Sequence, residues 1–391
     1  MHSRINANID AAMRILYFSG VDMIITDIEV IVLGVPQLKS LGLSKDREIN
    51  FRGAGLVIIQ TDEGIRGIGE GYVPEPYLLK SIIEHKLKSL LIGQNPLDIE
   101  RLWRKMMMDS VFWDQKGQYV SAVSGVDVAL WDIAGKYYDV PVYKLLGGDA
   151  RGDGKVKAYA SDLFWDTPEN MAKMARKYAS LGFSAMKTHL GRGLKEDEKR
   201  VKVMRETIGD LILMVDMNCG YSRVDALKVG RMLERYEVYW YEEPLSPYDI
   251  DGYAYLKRKL DILIATGENE YTKWGFKELF LKNAVDFAMP DIIRCGGITE
   301  TKKICAMAEA FEVICTPHNF ATGVGLAATL QVMACTPICQ WLEFDTTDFA
   351  LCKTLLKNPL EIDREGMIKI PVEPGIGVEL KKDIIEKYTI K

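Results

Sequence analysis

The sequence predicts an α/β fold: a modified TIM barrel, (β/α)7-8, with an α+β capping domain formed by the N-terminal region plus the C-terminal segment. The first observation is a rhythm of acidic residues, because Asp216, Glu242 and Glu268 recur at one constant spacing of 26 residues. Each of them closes a short apolar run rich in β-branched and aromatic residues, which is typical of a buried parallel strand. The length of 391 residues also exceeds a barrel of about 250 residues and leaves room for another domain.

Eight strand candidates alternate with helical patterns in the second part of the chain, as a closed barrel requires. They are 157–161, 184–190, 211–218, 238–243, 262–268, 286–292, 313–318 and 340–344. The acidic residues stand where three of these strands end, and the carboxyl ends of barrel strands form the catalytic face. We therefore expect the three carboxylates to converge on one rim.

The chain divides into four predicted segments. Residues 1–23 are a tail, and 24–148 are the α+β capping domain, with an antiparallel meander first and helical periodicity after it. Residues 149–345 are the barrel, which follows a glycine-rich linker. Residues 346–391 are a C-terminal segment that we expect to return to the capping domain.

Composition excludes several partners and compartments. The formal charge of −5 comes without a basic stripe, which argues against nucleic acid. All seven cysteines lie between Cys219 and Cys352 and none form CxxC pairs, which is typical of a reduced intracellular chain. No secretory signal or uninterrupted apolar segment of about 18 residues is present, so we predict a cytoplasmic protein without a membrane partner.

The three converging carboxylates predict a metal site. They would repel one another strongly without a cation between them. Oxygen ligands suit Mg²⁺ first, with Mn²⁺ as a substitute, whereas zinc usually recruits His or Cys. A single acidic residue at the end of a strand is common without any metal, but three acidic residues at one constant spacing indicate a metal site.

Other polar residues fall at the same predicted rim. Lys187 and His189 lie two apart on the second strand and share a face, as Asp216 and Asn218 do on the third. Asp291 and His318 end adjacent strands, so Asp291 could accept the Nδ1 proton of His318 and orient the ring. A lysine near a metal would have a lowered pKa, as a base near neutral pH needs.

Glu343 ends the eighth strand, where, if it is protonated or hydrogen-bonded to a substrate carboxylate, it could help to stabilise the charge of an enolate. A divalent ion that binds such a carboxylate, with bases on opposite walls, is arranged to remove the proton α to it, because the metal stabilises the enolate charge.

The chain resembles the enolase superfamily, and within it the mandelate racemase/muconate lactonizing enzyme branch. The resemblance extends from about residue 24 to 380. The resemblance is carried by 123–136 with Ala129-Leu130-Trp131-Asp132, Lys187-Thr188-His189, Asp216-Met217-Asn218, Glu242-Glu243-Pro244, Gly267-Glu268, Asp291 with Gly296-Gly297, His318 and Trp341-Leu342-Glu343.

The resemblance implies catalytic roles for Lys187, His189, His318, Asp291 and Glu343, and Mg²⁺ on Asp216, Glu242 and Glu268. Many relatives carry a second lysine at the position of His189, so which residue of the Lys187/His189 pair is the base stays open, as does the stereochemical course. Family members also commonly form symmetric oligomers, and we expect a homo-oligomer, from dimer to octamer.

Members with the His-Asp dyad that are not racemases often dehydrate acid sugars. We therefore expect Mg-dependent conversion of an aldonate or aldarate into a 2-keto-3-deoxy sugar acid. Lys187 or His189 would take the C2 proton, and His318 would protonate the leaving C3 hydroxyl. Asn218 and the capping-loop residues Lys39, Lys45, Arg47 and Arg52 could bind substrate, although the capping-loop cations fit a solvated surface equally well.

Three alternatives remain. A racemase or epimerase of a 2-hydroxy acid needs the same two opposed bases. Muconate-type cycloisomerisation ranks lower, because those relatives usually carry lysine where His318 stands. A non-catalytic metal-binding scaffold would show a broken ligand set, and this set is intact.

Overall fold

The structure is a computed structural model that describes residues 23–45, 47–72 and 75–390. Of the predicted tail 1–23 only Met23 falls in this part of the chain. The side chains of residues 37–39, 76 and 162 are also outside the described part.

A three-stranded antiparallel sheet opens the described chain, in the order β1 (Ile25–Gly42), β2 (Glu48–Thr61) and β3 (Arg66–Gly71). This is the predicted meander. The helices that follow are α1 (Pro76–Ile82), a π-helical segment (Ile83–Leu87), α2 (Lys88–Leu91), α3 (Ile99–Asp109), α4 (Gln118–Tyr137) and α5 (Val142–Leu145).

Helix α4 packs tightly on β3. A Cβ placed on Gly69 would lie 2.0 Å from the carbonyl oxygen of Gly125. The glycines of β3 therefore let the sheet approach the helix backbone directly, and the shared core holds the sheet and helices together as one capping layer.

The second part of the chain forms the predicted parallel barrel, with all eight strands found. The strands are β4 (Lys155–Leu163), β5 (Ala185–His189), β6 (Ile212–Asp216), β7 (Trp240–Glu242), β8 (Leu263–Thr266), β9 (Phe287–Ala288), β10 (Ile314–Cys315) and β11 (Leu342–Asp345). They pair in the order β10-β9-β8-β7-β6-β5-β4-β11. A parallel bridge between Cys315 and Cys339 connects β10 to the segment before β11, so the sheet curls toward closure.

Helices cover the outside of the barrel, and each follows its strand as a (β/α) unit requires. They are α6 (Pro168–Ser180), α7 (Leu194–Ile208), α8 (Arg223–Glu234), α9 (Ile250–Lys259), α10 (Thr272–Leu281), α11 (Gly297–Ala310) and α12 (Gly323–Ala334). None of the described helices is both long and apolar enough to cross a membrane.

The C-terminal segment contacts both the barrel and the capping layer. It contains α13 (Ala350–Thr354), β12 (Met367–Lys369) and α14 (Lys382–Tyr388). Strand β12 pairs antiparallel with β4 of the barrel, whereas Ile390 N donates to Val32 O of β1 over 3.0 Å. The segment thus returns to the capping domain as expected. The domain boundaries at 148 and 345 stay predictions.

Asp132 on α4 joins three parts of the molecule. Its Oδ2 accepts from Ile68 N on β3 (2.8 Å) and from Lys136 Nζ (2.5 Å), and its Oδ1 accepts from Ile376 N in the C-terminal segment (2.9 Å). The aspartate of the Ala-Leu-Trp-Asp motif is therefore a structural residue that fixes the capping layer.

Candidate active site and metal centre

The three acidic residues meet at the carboxyl ends of neighbouring strands. Asp216 and Glu242 end β6 and β7, and Glu268 follows β8. One carboxylate oxygen from each lies within 4.8 Å of those of the other two. Burial and nearby carboxylates raise the pKa of Glu242 well above its ordinary value. An all-oxygen trio this crowded fits a hard divalent cation such as Mg²⁺, whose charge would offset the repulsion.

The neighbour Glu243 belongs to a different environment. Its carboxylate accepts from Asn269 Nδ2 at 2.9 and 3.0 Å and from Cys219 Sγ at 3.2 Å. Burial and the charges of Glu268 and Asp216 raise the pKa of Glu243 to about 8. The geometry therefore agrees with the choice of Glu242, the first glutamate of the pair, as the ligand candidate.

Lys187 on β5 is fully buried between two carboxylates. Its Nζ lies 3.0 Å from Glu242 Oε1 and 2.7 Å from Glu343 Oε1. Burial alone lowers the pKa of Lys187, but these two carboxylates more than offset it, so the pKa is raised well above its ordinary value. The lowering of the pKa of Lys187 by a nearby metal stays a prediction.

His189, also on β5, is held by Asn218. Asn218 Nδ2 donates to Asp216 Oδ2 (2.7 Å), so its Oδ1 faces His189 Nδ1 at 3.0 Å and accepts that proton. The Nε2 atom is buried and has no hydrogen-bond partner within the described part of the chain. Phe164 stacks on the ring with an interplanar angle of 2°, and burial lowers the pKa of His189. Burial thus favours the neutral form of the ring.

His318 lies across the site, in the loop after β10. Its Nδ1 lies 2.7 Å from Asp291 Oδ2, and its Nε2 lies 3.1 Å from Glu268 Oε2. Ile293 N donates to the other oxygen of Asp291 (2.9 Å), which fixes that carboxylate. Burial lowers the pKa of His318, but Glu268, Glu343 and Asp291 raise it overall, to about 10. These carboxylates therefore favour the protonated form of the ring.

Glu343 on β11 completes the set of sequence-predicted residues. It accepts from Ser161 Oγ (2.7 Å) and from Asn319 N (3.1 Å), besides its contact with Lys187. Burial raises its pKa, but Lys187 and His318 lower it overall, to about 2. Glu343 is thus a carboxylate anion here, not the protonated form considered from the sequence.

A cavity of about 110 Å³ lies at the centre of these groups. Its lining includes Lys187, His189, Asp216, Asn218, Glu268, His318 and Glu343. Six further lining residues were not predicted from the sequence: Leu43, Ile49, Tyr72, Phe164, Arg294 and Phe320. Arg294 donates to Asn269 Oδ1 (2.8 Å) and stacks on Tyr72 at 4.1 Å. The only signal for it was its place three residues after Asp291.

The capping loop reaches the cavity with apolar residues. Leu43 and Ile49 are among its lining residues, but Lys45 and Arg47 are not, as far as the described chain shows. Arg47 instead donates to Ser44 Oγ (2.6 Å) and to the backbone oxygen of Asn218. Its observed contacts hold the loop on the barrel, and substrate binding by Lys45 and Arg47 stays a prediction. Lys39 lies in β1, and its side chain is outside the described part.

Arg52 departs from the solvated-surface interpretation. The side chain is only 4 % exposed and pairs with Asp345, Nη1 to Oδ2 at 2.6 Å. Arg52 lies on β2 of the capping layer and Asp345 lies on β11 of the barrel, so this ion pair joins the two layers.

Two family models together match most of the chain. Residues 51–147 match the N-terminal domain of the mandelate racemase / muconate lactonizing enzymes, and residues 170–384 match the enolase C-terminal domain-like family. The chain is 35% identical to the D-galactarolactone cycloisomerase of Agrobacterium fabrum, over 85% of this chain and 90% of that one. It is 34% identical to the arabinonate dehydratase of Saccharolobus solfataricus, with the same coverage.

Among solved structures, a racemase from Streptomyces coelicolor with bound magnesium matches with a TM-score of 0.87. The identity is 27%, over 94% of this chain and 100% of that one. Relatives with this fold thus include a dehydratase, a cycloisomerase and a racemase.

Proposed function

This chain belongs to the mandelate racemase/muconate lactonizing enzyme family of the enolase superfamily, and on that premise we propose that it is an acid-sugar dehydratase. The substrate would be an aldonate or aldarate, and the product a 2-keto-3-deoxy sugar acid. One observation carries the proposal: His189 on β5, whose Nε2 has no partner in the described chain, and His318 after β10, with its Nδ1 held by Asp291, lie on either side of the strands of the acidic trio. A base and an acid are both needed to remove a proton and a hydroxyl.

His189 is the better base of the Lys187/His189 pair. His189 lines the cavity, and its Nε2 has no partner among the described residues. Lys187, in contrast, is held as an ammonium between Glu242 and Glu343. The positive charges of Lys187 and Arg294 are suited to attract the substrate carboxylate.

His318 is suited to act as the general acid. Asp291 holds its Nδ1, which directs Nε2 toward the cavity. His189 Nε2 would take the C2 proton, the C3–O bond would break, and the proton of His318 would leave with the hydroxyl as water. The resulting enol would become the 2-keto acid by tautomerisation.

The acidic trio would hold the metal that this reaction needs. Mg²⁺, when bound by Asp216, Glu242 and Glu268, would supply positive charge opposite the negative charge that develops on the substrate carboxylate. Asn218 donates to both oxygens of Asp216, from its backbone N and its Nδ2, each over 2.7 Å. It would therefore orient that ligand as well as His189.

Racemisation and cycloisomerisation are the competing reactions. The same opposed imidazoles permit 1,1-proton transfer, and a relative is named as a galactarolactone cycloisomerase. Racemisation would incorporate solvent deuterium into recovered substrate without loss of water, and cycloisomerisation would form no 2-keto-3-deoxy acid from an open-chain aldonate.

The test is a screen of the purified protein with Mg²⁺ against mono- and diacid sugars, with detection of 2-keto-3-deoxy acids by semicarbazide absorbance. We expect a hit that disappears in His318→Asn and persists in His85→Asn. His85 is an exposed histidine of the capping layer, so it controls for the substitution itself. Deuterium exchange without product across the panel would favour a racemase.

A further inference from the structure

A second cavity lies beside the catalytic one. Its volume is about 250 Å³, and it shares three wall residues, Ile49, Tyr72 and Phe320, with the catalytic cavity. The catalytic cavity, of about 110 Å³, is the smaller of the two. The neighbouring cavity is the adjacent space for the distal carbons of a five- or six-carbon acid sugar.

The second cavity contains an arginine with an unused donor. Arg52 Nη1 donates to Asp345 Oδ2 (2.6 Å) and Thr347 Oγ1 (3.1 Å). Phe320 and Phe349 cover the two faces of its guanidinium at 3.5 and 3.8 Å. Its Nη2 is buried and has no partner in the described chain. A rigid, desolvated donor of this kind is suited to a ligand oxygen, because leaving it unmet costs free energy.

The charges around this cavity do not favour the binding of a second substrate carboxylate in it. Asp345 is buried and neutralises Arg52 through their ion pair. Glu48 lines the mouth of the cavity and adds a negative charge. A ligand carboxylate here would be desolvated without a net positive partner. The proposed reaction, in contrast, places one substrate carboxylate in the catalytic cavity, beside the acidic trio that would hold Mg²⁺.

From these contacts we infer that the second cavity binds the uncharged, hydroxyl-bearing end of the substrate, with Arg52 Nη2 as donor, and selects aldonates over aldarates. This inference rests on the proposed dehydratase function and narrows it to monocarboxylates. Asn50 at the same wall adds a neutral amide for hydroxyl groups.

The experiment compares kcat/KM for an aldonate and the aldarate of the same configuration, using the full chain with Mg²⁺. We expect at least a tenfold preference for the aldonate. The change Glu48→Arg places a cation at the mouth and should shift the aldarate/aldonate ratio of kcat/KM at least tenfold toward the aldarate. Glu48 is exposed, so this variant tests the charge argument without disturbing the core.

Arg52→Lys tests the donor. It should raise KM for the aldonate at least tenfold with kcat changed less than threefold, and leave KM for glycerate, a short acid with no distal hydroxyls, nearly unchanged. Arg66→Lys, at an exposed arginine of β3, is the matched control.

Two results would overturn the inference while the proposed function stands: an aldarate turned over as well as its aldonate, or equal losses on glycerate and aldonate in Arg52→Lys. The second would mean that Arg52 only supports the fold. If no acid sugar were dehydrated at all, the proposed function itself would fail, and this inference with it.

Discussion

Glu70 on capping strand β3 and Thr322 beside barrel helix α12 are joined by hydrogen bonds across the layers. Thr322 N donates to Glu70 Oε1 (3.0 Å), and Thr322 Oγ1 donates to Oε2 (2.6 Å). Gly325 N donates to Oε2 as well (2.9 Å). A buried carboxylate thus caps the N-terminus of α12, where the helix dipole favours negative charge. The same loop, 316–322, contains His318.

The first prediction concerns this contact. Glu70→Gln removes the charge and one acceptor, so we expect the free energy of unfolding to fall by about 1–3 kcal/mol. Because the loop with His318 would lose its anchor, kcat on any substrate found should fall more than KM changes. Urea unfolding and steady-state kinetics measure the two effects. Glu63→Gln, at an exposed turn residue, is the control, and unchanged stability in Glu70→Gln would contradict the role.

The second prediction concerns metal binding and does not depend on activity. A ligand at about 100 times its Kd stabilises the folded state by about 2.7 kcal/mol. We expect Mg²⁺ to raise the Tm of the EDTA-treated protein, and Glu242→Gln to abolish this rise. Glu243→Gln should keep most of it, since Glu243 is bonded to Asn269 and Cys219. Loss in Glu243→Gln with retention in Glu242→Gln would show that the ligand was assigned to the wrong glutamate.

The third prediction separates proton removal from loss of the hydroxyl. General acid and base groups each contribute about 10²–10⁴-fold. In D2O, His318→Asn should lose dehydration by that factor yet still exchange the C2 proton of the substrate, because His189 is intact. His189→Gln should lose both reactions. Proton NMR of recovered substrate follows the exchange, and undiminished exchange in His189→Gln would point to Lys187 as the base.

The fourth prediction concerns Asp127 on α4, whose Oδ2 accepts from Thr299 N of α11 (3.0 Å). Burial, opposed by Thr299 and Lys303, raises the pKa of Asp127 to about 7 from an ordinary 3.8. A carboxyl with a raised folded pKa contributes stability that is complete below the unfolded pKa and is lost as pH rises through the folded one. The wild type should therefore lose stability relative to Asp127→Asn as pH rises from about 5 to about 7.

The slope of that difference is limited to about 1.4 kcal/mol per pH unit for one proton. Urea unfolding at a series of pH values measures it, with Asp210→Asn at an exposed position as the matched comparison. A difference between wild type and Asp127→Asn that does not change with pH would refute the assignment.

The barrel and its acidic trio could be predicted from the sequence because both are periodic. Parallel strands appear in the sequence as apolar runs. Their carboxyl ends lie on one rim of the barrel, whatever the sequences of the helices between them. Asp216, Glu242 and Glu268 therefore converge in space because they share a spacing in the chain. The same logic brought Asp291 beside His318, because they follow the neighbouring strands β9 and β10.

The capping residues were harder to predict, because their roles depend on contacts between distant segments. Arg47 and Arg52 are similar cations in one loop region. Arg47 contacts the backbone of Asn218, whereas Arg52 is buried against Asp345, 293 positions along the chain. No local pattern distinguishes two such arginines before the layers are packed together.

The sequence by itself determined the family fold, the acidic rim and the dyad, since strand period and spacing specify which side chains share an edge. Only the tertiary structure shows the different surroundings of Lys187 and His189, from which we propose His189 as the base. Glu242 and Glu343 enclose the lysine from two other strands, and Asn218 turns its oxygen toward the imidazole. Charge state in a buried site depends on burial and on neighbouring charges, and those neighbours are set by barrel closure.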